Sequence, residues 1–225
     1  MTVDVRTGPR QLARLGPVAQ LRAGRLPRRL TQLTVGLVLY GVTLAMMIRS
    51  TLGNASWDAL HQGLARHLPI TIGQAVIVMS LVVLLLWIPL RELPGLGTIA
   101  NSFVVGLVAD ATLGVLSSPD TLWVRVVLLV VGLVGNAAAT ALYIGSQFGP
   151  GPRDGLMTGL HRRTGWSIRT VRTGLEVAVV VIGWALGGLV GIGTVVYALA
   201  IGPLVQLMLP ACIVELCDGE PSPDA

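Results

Sequence analysis

The chain has little charge and no lysine. Only 12% of its 225 residues are charged, against about a quarter in an ordinary soluble domain. That deficit excludes a water-soluble globular fold. All 16 basic residues are arginine, and they cluster in flanks and connections beside apolar runs. Orientation in a bilayer accounts for that placement, so nucleic acid is not an expected partner. Cysteine is scarce too. Cys212 and Cys217 are the only two, and a five-residue separation is neither a redox CxxC pair nor a zinc pattern. They read as free thiols near a cytosolic face. His61, His67 and His161 lie in polar connections without metal-ligand spacing. No nucleophile–base arrangement, phosphate loop or dinucleotide fingerprint is present. No catalytic residue, cofactor or metal is therefore expected, and the chain does not read as an enzyme.

What the chain has in quantity is apolar surface. Hydrophobic residues make up 53% of it and the mean hydropathy is +0.76. Runs of about 20 apolar residues are the length of a membrane-crossing helix. Their continuity excludes the alternating pattern of an outer-membrane barrel. Six spans are expected: Gln32–Leu52, Ile72–Leu90, Gly97–Leu116, Leu122–Phe148, Thr170–Leu186 and Gly191–Leu209. Residues 1–30 form an Arg-rich tail, 31–212 the membrane domain and 213–225 an acidic tail. The first tail is expected to be flexible and cytosolic, with binding to anionic lipid as the alternative. With the N-terminus inside, 13 arginines are cytosolic. Only Arg49, Arg66 and Arg125 are outside. That bias sets both termini in the cytosol.

The chain repeats itself. At a shift of 96 residues, 35–106 aligns with 131–202 without a gap, and 21 of 72 positions are identical. Chance in so apolar a chain would give roughly one in ten. Asp58, Leu60, Gly63 and Leu64 meet Asp154, Leu156, Gly159 and Leu160. Each half holds one span, a DxLxxGL segment and two further spans. Three crossings are an odd number, so the second half is inverted in the membrane. The fold class is an all-α polytopic membrane protein of six transmembrane helices. They form two inverted three-helix repeats (about 31–118 and 122–212), each with a short interfacial or re-entrant helix.

The short segments begin with helix-start chemistry. Ser56 can cap the first, Pro152 suits the first position of the second, and Asp58 and Asp154 fall in the first turns. Half-helix starts near the midplane are common solute sites in inverted-repeat transporters. The alternative is a surface helix with a capping aspartate. Asp110, Arg172 and Glu176 are charges within apparent spans, and such charges usually face a cavity or one another. Arg172 and Glu176 have the spacing of a pair on one helix face. Asp110 has no partner nearby in sequence and is open to Arg172, Arg49 or the outer interface. The candidate solute-binding residues are Asp58, Asp110, Arg153, Asp154, Arg172 and Glu176. Gly183, Gly187, Gly188, Gly191 and Gly193 are assigned to close helix packing.

Gly151-Pro152-Arg153-Asp154-Gly155-Leu156-Met157, Arg172 with Glu176, Gly183-Trp184, and Gly191-Ile192-Gly193-Thr194 through Gly202-Pro203 resemble the YczE-type bacterial integral membrane proteins, which are related to the YitT-type family. Ser56-Trp57-Asp58 fits as well. The likeness spans about 31–212 and omits the Arg-rich tail. It implies the fold and a multi-pass place in the bacterial cytoplasmic membrane, and supplies no reaction. The function expected is a secondary transporter or permease for a small solute, an anion among the candidates. The alternative is a non-transporting scaffold or accessory protein that binds a partner or lipid. Admissible partners are the bilayer, a small solute and a second copy of the chain.

Overall fold

The structure, a computed structural model, describes residues 16–216; Cys217, Arg6, Arg10 and Arg14 lie outside the described residues. The described residues form α1 (Pro17–Arg22), α2 (Leu26–Ser50), α3 (Ser56–His67), α4 (Ile72–Leu90), α5 (Leu96–Val115), α6 (Leu122–Gly145), α7 (Pro152–Thr164), α8 (Ile168–Ala185) and α9 (Ile192–Cys212). Five of these, α2, α4, α5, α6 and α9, are long and apolar enough to cross a membrane. The fifth expected span, α8, is 18 residues long but carries Arg169, Arg172 and Glu176, and is not among the five.

Two expectations about the ends of the membrane domain are corrected. α2 begins at Leu26, not near Gln32, because Pro27 is well suited to a first helical turn. Arg29, read as part of a flexible tail, is fully buried in α2. Its guanidinium donates to the carbonyls of Ser146 and Gln147, both at 2.9 Å, and of Gln20 at 2.6 Å. These are groups that a helix end leaves without intrahelical partners. At the other terminus Val214 is buried and donates its N–H to Gly145 O at 3.0 Å, so the chain is still packed there.

The helices recur at the shift seen in the sequence. α2, α3, α4 and α5 begin at 26, 56, 72 and 96; α6, α7, α8 and α9 begin at 122, 152, 168 and 192. The local devices recur with them. Gly53 (φ 128°) and Gly149 (φ 106°) make the same left-handed turn before each short helix, a conformation open mainly to glycine. Gly97 N–H donates to Phe148 O at 2.8 Å, and Gly193 N–H to Leu52 O at 2.9 Å. Arg125 repeats what Arg29 does, donating to the carbonyls of Ser50 at 2.9 Å and Thr51 at 3.1 Å. Each arginine therefore binds the end of the other half's long helix.

α2 packs against α6 at the centre, flanked by α5 and α9. α3 packs on α8 and α4, and α7 on α4 and α8. One apolar core joins α2, α5 and α6 through Leu37, Leu44, Val105 and Tyr143, with Phe148 from the turn after α6; a second joins the short helices to α4 and α8 through Trp57, Trp87, Leu156 and Val179. Large apolar side chains remain exposed on α4, α8 and α9, among them Ile88, Trp184 and Leu207, as a lipid-facing surface requires.

Candidate functional site

Both short helices start inside the molecule and end at its surface. Ser56, Trp57 and Asp58 are buried, while Arg66 and His67 are exposed; Pro152 is buried, while Arg162 to Thr164 are exposed. Their N-termini meet at a cavity of about 280 Å³. α3 supplies Trp57, α7 supplies Arg153 and Asp154, and α8 supplies Arg172 and Glu176. Tyr40, Asn101, Tyr143, Tyr197 and Gln206 add polar groups from the long helices.

Of the six residues read from the sequence, Arg153, Asp154, Arg172 and Glu176 line this cavity. Asp58 sits behind it, only 3% exposed, with Oδ1 at 3.9 Å from Arg153 Nη2. The Arg153 guanidinium also lies 5.3 Å from the centre of the Trp57 ring, within cation–π range. Asp58 Oδ1 is 3.6 Å from His61 Nδ1. Burial lowers the His61 pKa against the opposing pull of Asp58. Asp154 Oδ2 accepts from the Tyr143 hydroxyl at 2.8 Å.

Asp110 is not among the cavity residues, and it meets neither Arg172 nor Arg49. It receives the Gly73 N–H at 2.7 Å and the Thr71 hydroxyl. A carboxylate at the N-terminus of α4 satisfies amides that the helix cannot. The pairing of Arg172 with Glu176 is also absent: among the described residues neither has a hydrogen bond or an ion pair within 4.0 Å. Arginine precedes glutamate here, the weaker order for an i,i+4 pair. The tyrosines carry no charge, so the rarity of charge within spans does not mark them. A polar network of Tyr197, Asn136 and Thr43, at 3.0 and 3.2 Å, holds the cavity's far wall.

A second cavity, of about 860 Å³, lies on the α7 side and shares Asp154 and Ile144 with the first. Leu93, Pro150 and Thr158 line it, and the Arg162–Glu92 ion pair stands beside it. The positions 96 residues away are Leu189, Asn54 and Gln62, and there the chain is closed. Gln62 Oε1 accepts from Asn54 Nδ2 at 3.0 Å and from the Leu189 N–H at 2.7 Å; Asn54 N–H donates to Leu189 O at 3.3 Å.

Residues 27–210 match the profile of a family of unknown function, DUF6198. The chain belongs to that family. It is 38% identical over 177 residues to an uncharacterized protein of Haemophilus influenzae, covering 79% of this chain and 81% of that one. It is 30% identical over 181 residues to the uncharacterized membrane protein YczE of Bacillus subtilis, covering 79% and 84%. The uncharacterized protein YyaS of the same organism is 27% identical over 183 residues. No solved structure matches. The DUF6198 match and the YczE relative agree with the likeness read from the motifs, and with a helical membrane protein.

Proposed function

We propose that this DUF6198 protein is a secondary transporter or permease of the bacterial cytoplasmic membrane. It moves a small solute with an anionic group by alternating access between two inverted halves. α8 is the sixth crossing, with Arg172 and Glu176 among the residues that line the cavity. The arginine bias sets both termini and the α7 end in the cytosol, and the α3 end outside. α3 and α7 are re-entrant half-helices whose starts frame the solute site.

One observation carries the reading. Among the described residues, equivalent positions are hydrogen-bonded to one another at the α3 end and line a cavity, the vestibule, at the α7 end. An inward-facing transporter requires a central cavity approached from one side and sealed on the other, and the α7-side cavity shares Asp154 and Ile144 with the central one. A scaffold with mutually neutralised charges would leave no cavity, and here a polar cavity stands between the starts of the two short helices.

The test uses Ser80→Cys in the cavity, in a background where Cys212 and Cys217 are serine, in oriented vesicles. A membrane-impermeant thiol reagent labels position 80 from the cytosolic side and hardly at all from outside. Adding Gln62→Ala raises the outside labelling. Labelling from neither side, or no response to Gln62→Ala, would sink the proposal.

A further inference from the structure

Around the deeper of the two cavity arginines, carboxylates are in excess. The Arg153 side chain is 26% exposed, whereas Arg172 is an exposed residue. Near Arg153 stand Asp58, Asp154 and Glu176. Asp154 accepts from Tyr143, and Glu176 acts on Arg153 through its field. Asp58 differs from both. It is 3% exposed, and its Oδ1 has no hydrogen-bond partner among the described residues. Opposite that oxygen, at 3.6 Å, is Nδ1 of His61, a residue 2% exposed, and this nitrogen has no hydrogen-bond partner either. Buried polar atoms are nearly always partnered, so two such atoms facing one another call for an explanation.

One proton serves both atoms. On Nδ1 it gives Asp58 a donor and a counter-charge, across a gap that a small shift closes. A hard metal cation takes several oxygen ligands, whereas an imidazole nitrogen opposite a carboxylate oxygen takes a proton. The surroundings are few. α4 brings no titratable side chain to α3, and α8 brings Glu176 and the exposed Arg172. Tyr40 of α2, Tyr197 of α9 and Arg153 of α7 are within electrostatic reach of Asp58. We propose that Asp58 and His61 form a proton site, and that Arg153 couples it to the cavity so that an anionic solute and a proton bind together. Arg153 Nη2 stands 3.9 Å from the same Asp58 Oδ1, and its side chain lines the cavity. An anionic group drawn to Arg153 competes with Asp58 for it. As Arg153 turns to the solute, the Asp58–His61 pair loses a neighbouring cation and takes a proton from solvent more readily. By linkage the proton strengthens anion binding to the same degree. Solute and proton then cross together, and the negative charge brought in is offset.

This inference rests on the solute-site reading above, and its test is separable from the vesicle labelling because the probe is the proton alone. The chain has three histidines, so isotope labelling of their ring nitrogens in full-length protein in detergent gives three imidazoles by NMR. The signal lost in His61→Gln is His61. It is expected to change from a neutral to a protonated ring between about pH 5 and 8, the range in which histidine ordinarily changes charge. Asp58→Asn should lower its proton affinity about ten-fold or more, and Arg153→Gln should raise it by about as much, since unit charges at about 4 Å act strongly away from water. Arg153→Lys keeps the charge and should titrate close to the parent. Should Asp58→Asn or Arg153→Gln not elute as folded protein, the other variant and the parent titration decide. The inference is overturned if His61 keeps the shifts of a neutral ring throughout, or if either variant leaves its transition in place. A titrating His61 without side-dependent labelling would retain the proton site and sink the transporter. Side-dependent labelling with a ring that stays neutral would do the opposite.

Discussion

The α3 and α7 ends are built from equivalent positions and differ in how tightly they close. At the α3 end Gly183 lies against the backbone of Ala59 and Leu60: a side chain there would stand 2.6 Å from Leu60 N. Backbones approach closely where both helices present small residues. At the α7 end the residue equivalent to Gly183 is Trp87. Its ring covers Gly155 and its Nε1–H donates to Pro152 O at 3.0 Å. One end is drawn together through glycine, and the other is held apart by a buried indole that also lines the vestibule. The clasps of Arg29 and Arg125 are common to both ends, so the long-helix frame is shared. The difference lies in what stands between each short helix and its neighbour.

The largest expected effect separates the two clasps. Arg29 is fully buried, serves three carbonyls and lies 4.3 Å from the centre of the Phe148 ring. Arg125 is half-buried and serves two. Charge-assisted hydrogen bonds contribute about 1.5–3 kcal/mol each and buried acceptors are costly to strand, so Arg29→Ala should destabilise by roughly 4 kcal/mol. Arg125→Ala should cost about half as much, since Arg125 is itself half-buried and serves two carbonyls, not three. Thermal unfolding in detergent gives both numbers, and equal losses would mean that the two clasps are alike after all.

Next is the glycine contact. In Gly183→Ala the new methyl meets backbone that cannot move aside, and over-packing of this kind costs about 1–3 kcal/mol. Gly174, on the same helix, has open space where a side chain would go, and Gly174→Ala should stabilise by about 0.5–1 kcal/mol through helix propensity alone. The same melting measurement decides it. A Gly183→Ala protein as stable as the parent would remove close packing as the reason the α3 end is shut.

The repeat was legible in the sequence because its marks are local. Glycines that turn the chain, aspartates in first turns and spans of fixed length all survive as identities 96 residues apart, and the helix starts follow them. Two of the charges that line the cavity, Arg172 and Glu176, could be picked out because charge within a span is rare. What was not legible depends on partners far away in the chain. Nothing near Arg29 says that it reaches carbonyls more than a hundred residues on. Nothing near Asp110 says that it completes the start of α4. Arg172 and Glu176 have pairing distance but no pair, because spacing fixes reach and not geometry. The tyrosines carry no charge, and a count of charges passes over them although they make up much of the wall.

A smaller effect tests the closed end directly. Gln62→Ala removes two hydrogen bonds, from Asn54 and from the Leu189 N–H, worth about 1–2 kcal/mol together. The hydroxyl of Thr158, at the equivalent position, bonds only within its own helix, to Gly155 O at 3.1 Å. Thr158→Ala should therefore change little, by under about 0.5 kcal/mol. Hydrogen exchange of the Leu189 amide should rise about ten-fold in Gln62→Ala and stay unchanged in Thr158→Ala. A rise in both, or in neither, would show that the side chain of Gln62 does not distinguish the two ends.

The smallest effect concerns the prop. Trp87→Phe keeps most of the ring volume over Gly155 but loses the donor to Pro152 O. Leaving that buried carbonyl without its partner should cost about 1 kcal/mol. The consequence for the comparison is directional. If the indole N–H holds the start of α7 away from α4, the vestibule should narrow and labelling of a cysteine at Thr158 should slow. If ring volume alone keeps the two apart, labelling stays at the parent rate while stability still falls. The substitution therefore separates a prop that works by bulk from one that works by a hydrogen bond to the first residue of α7.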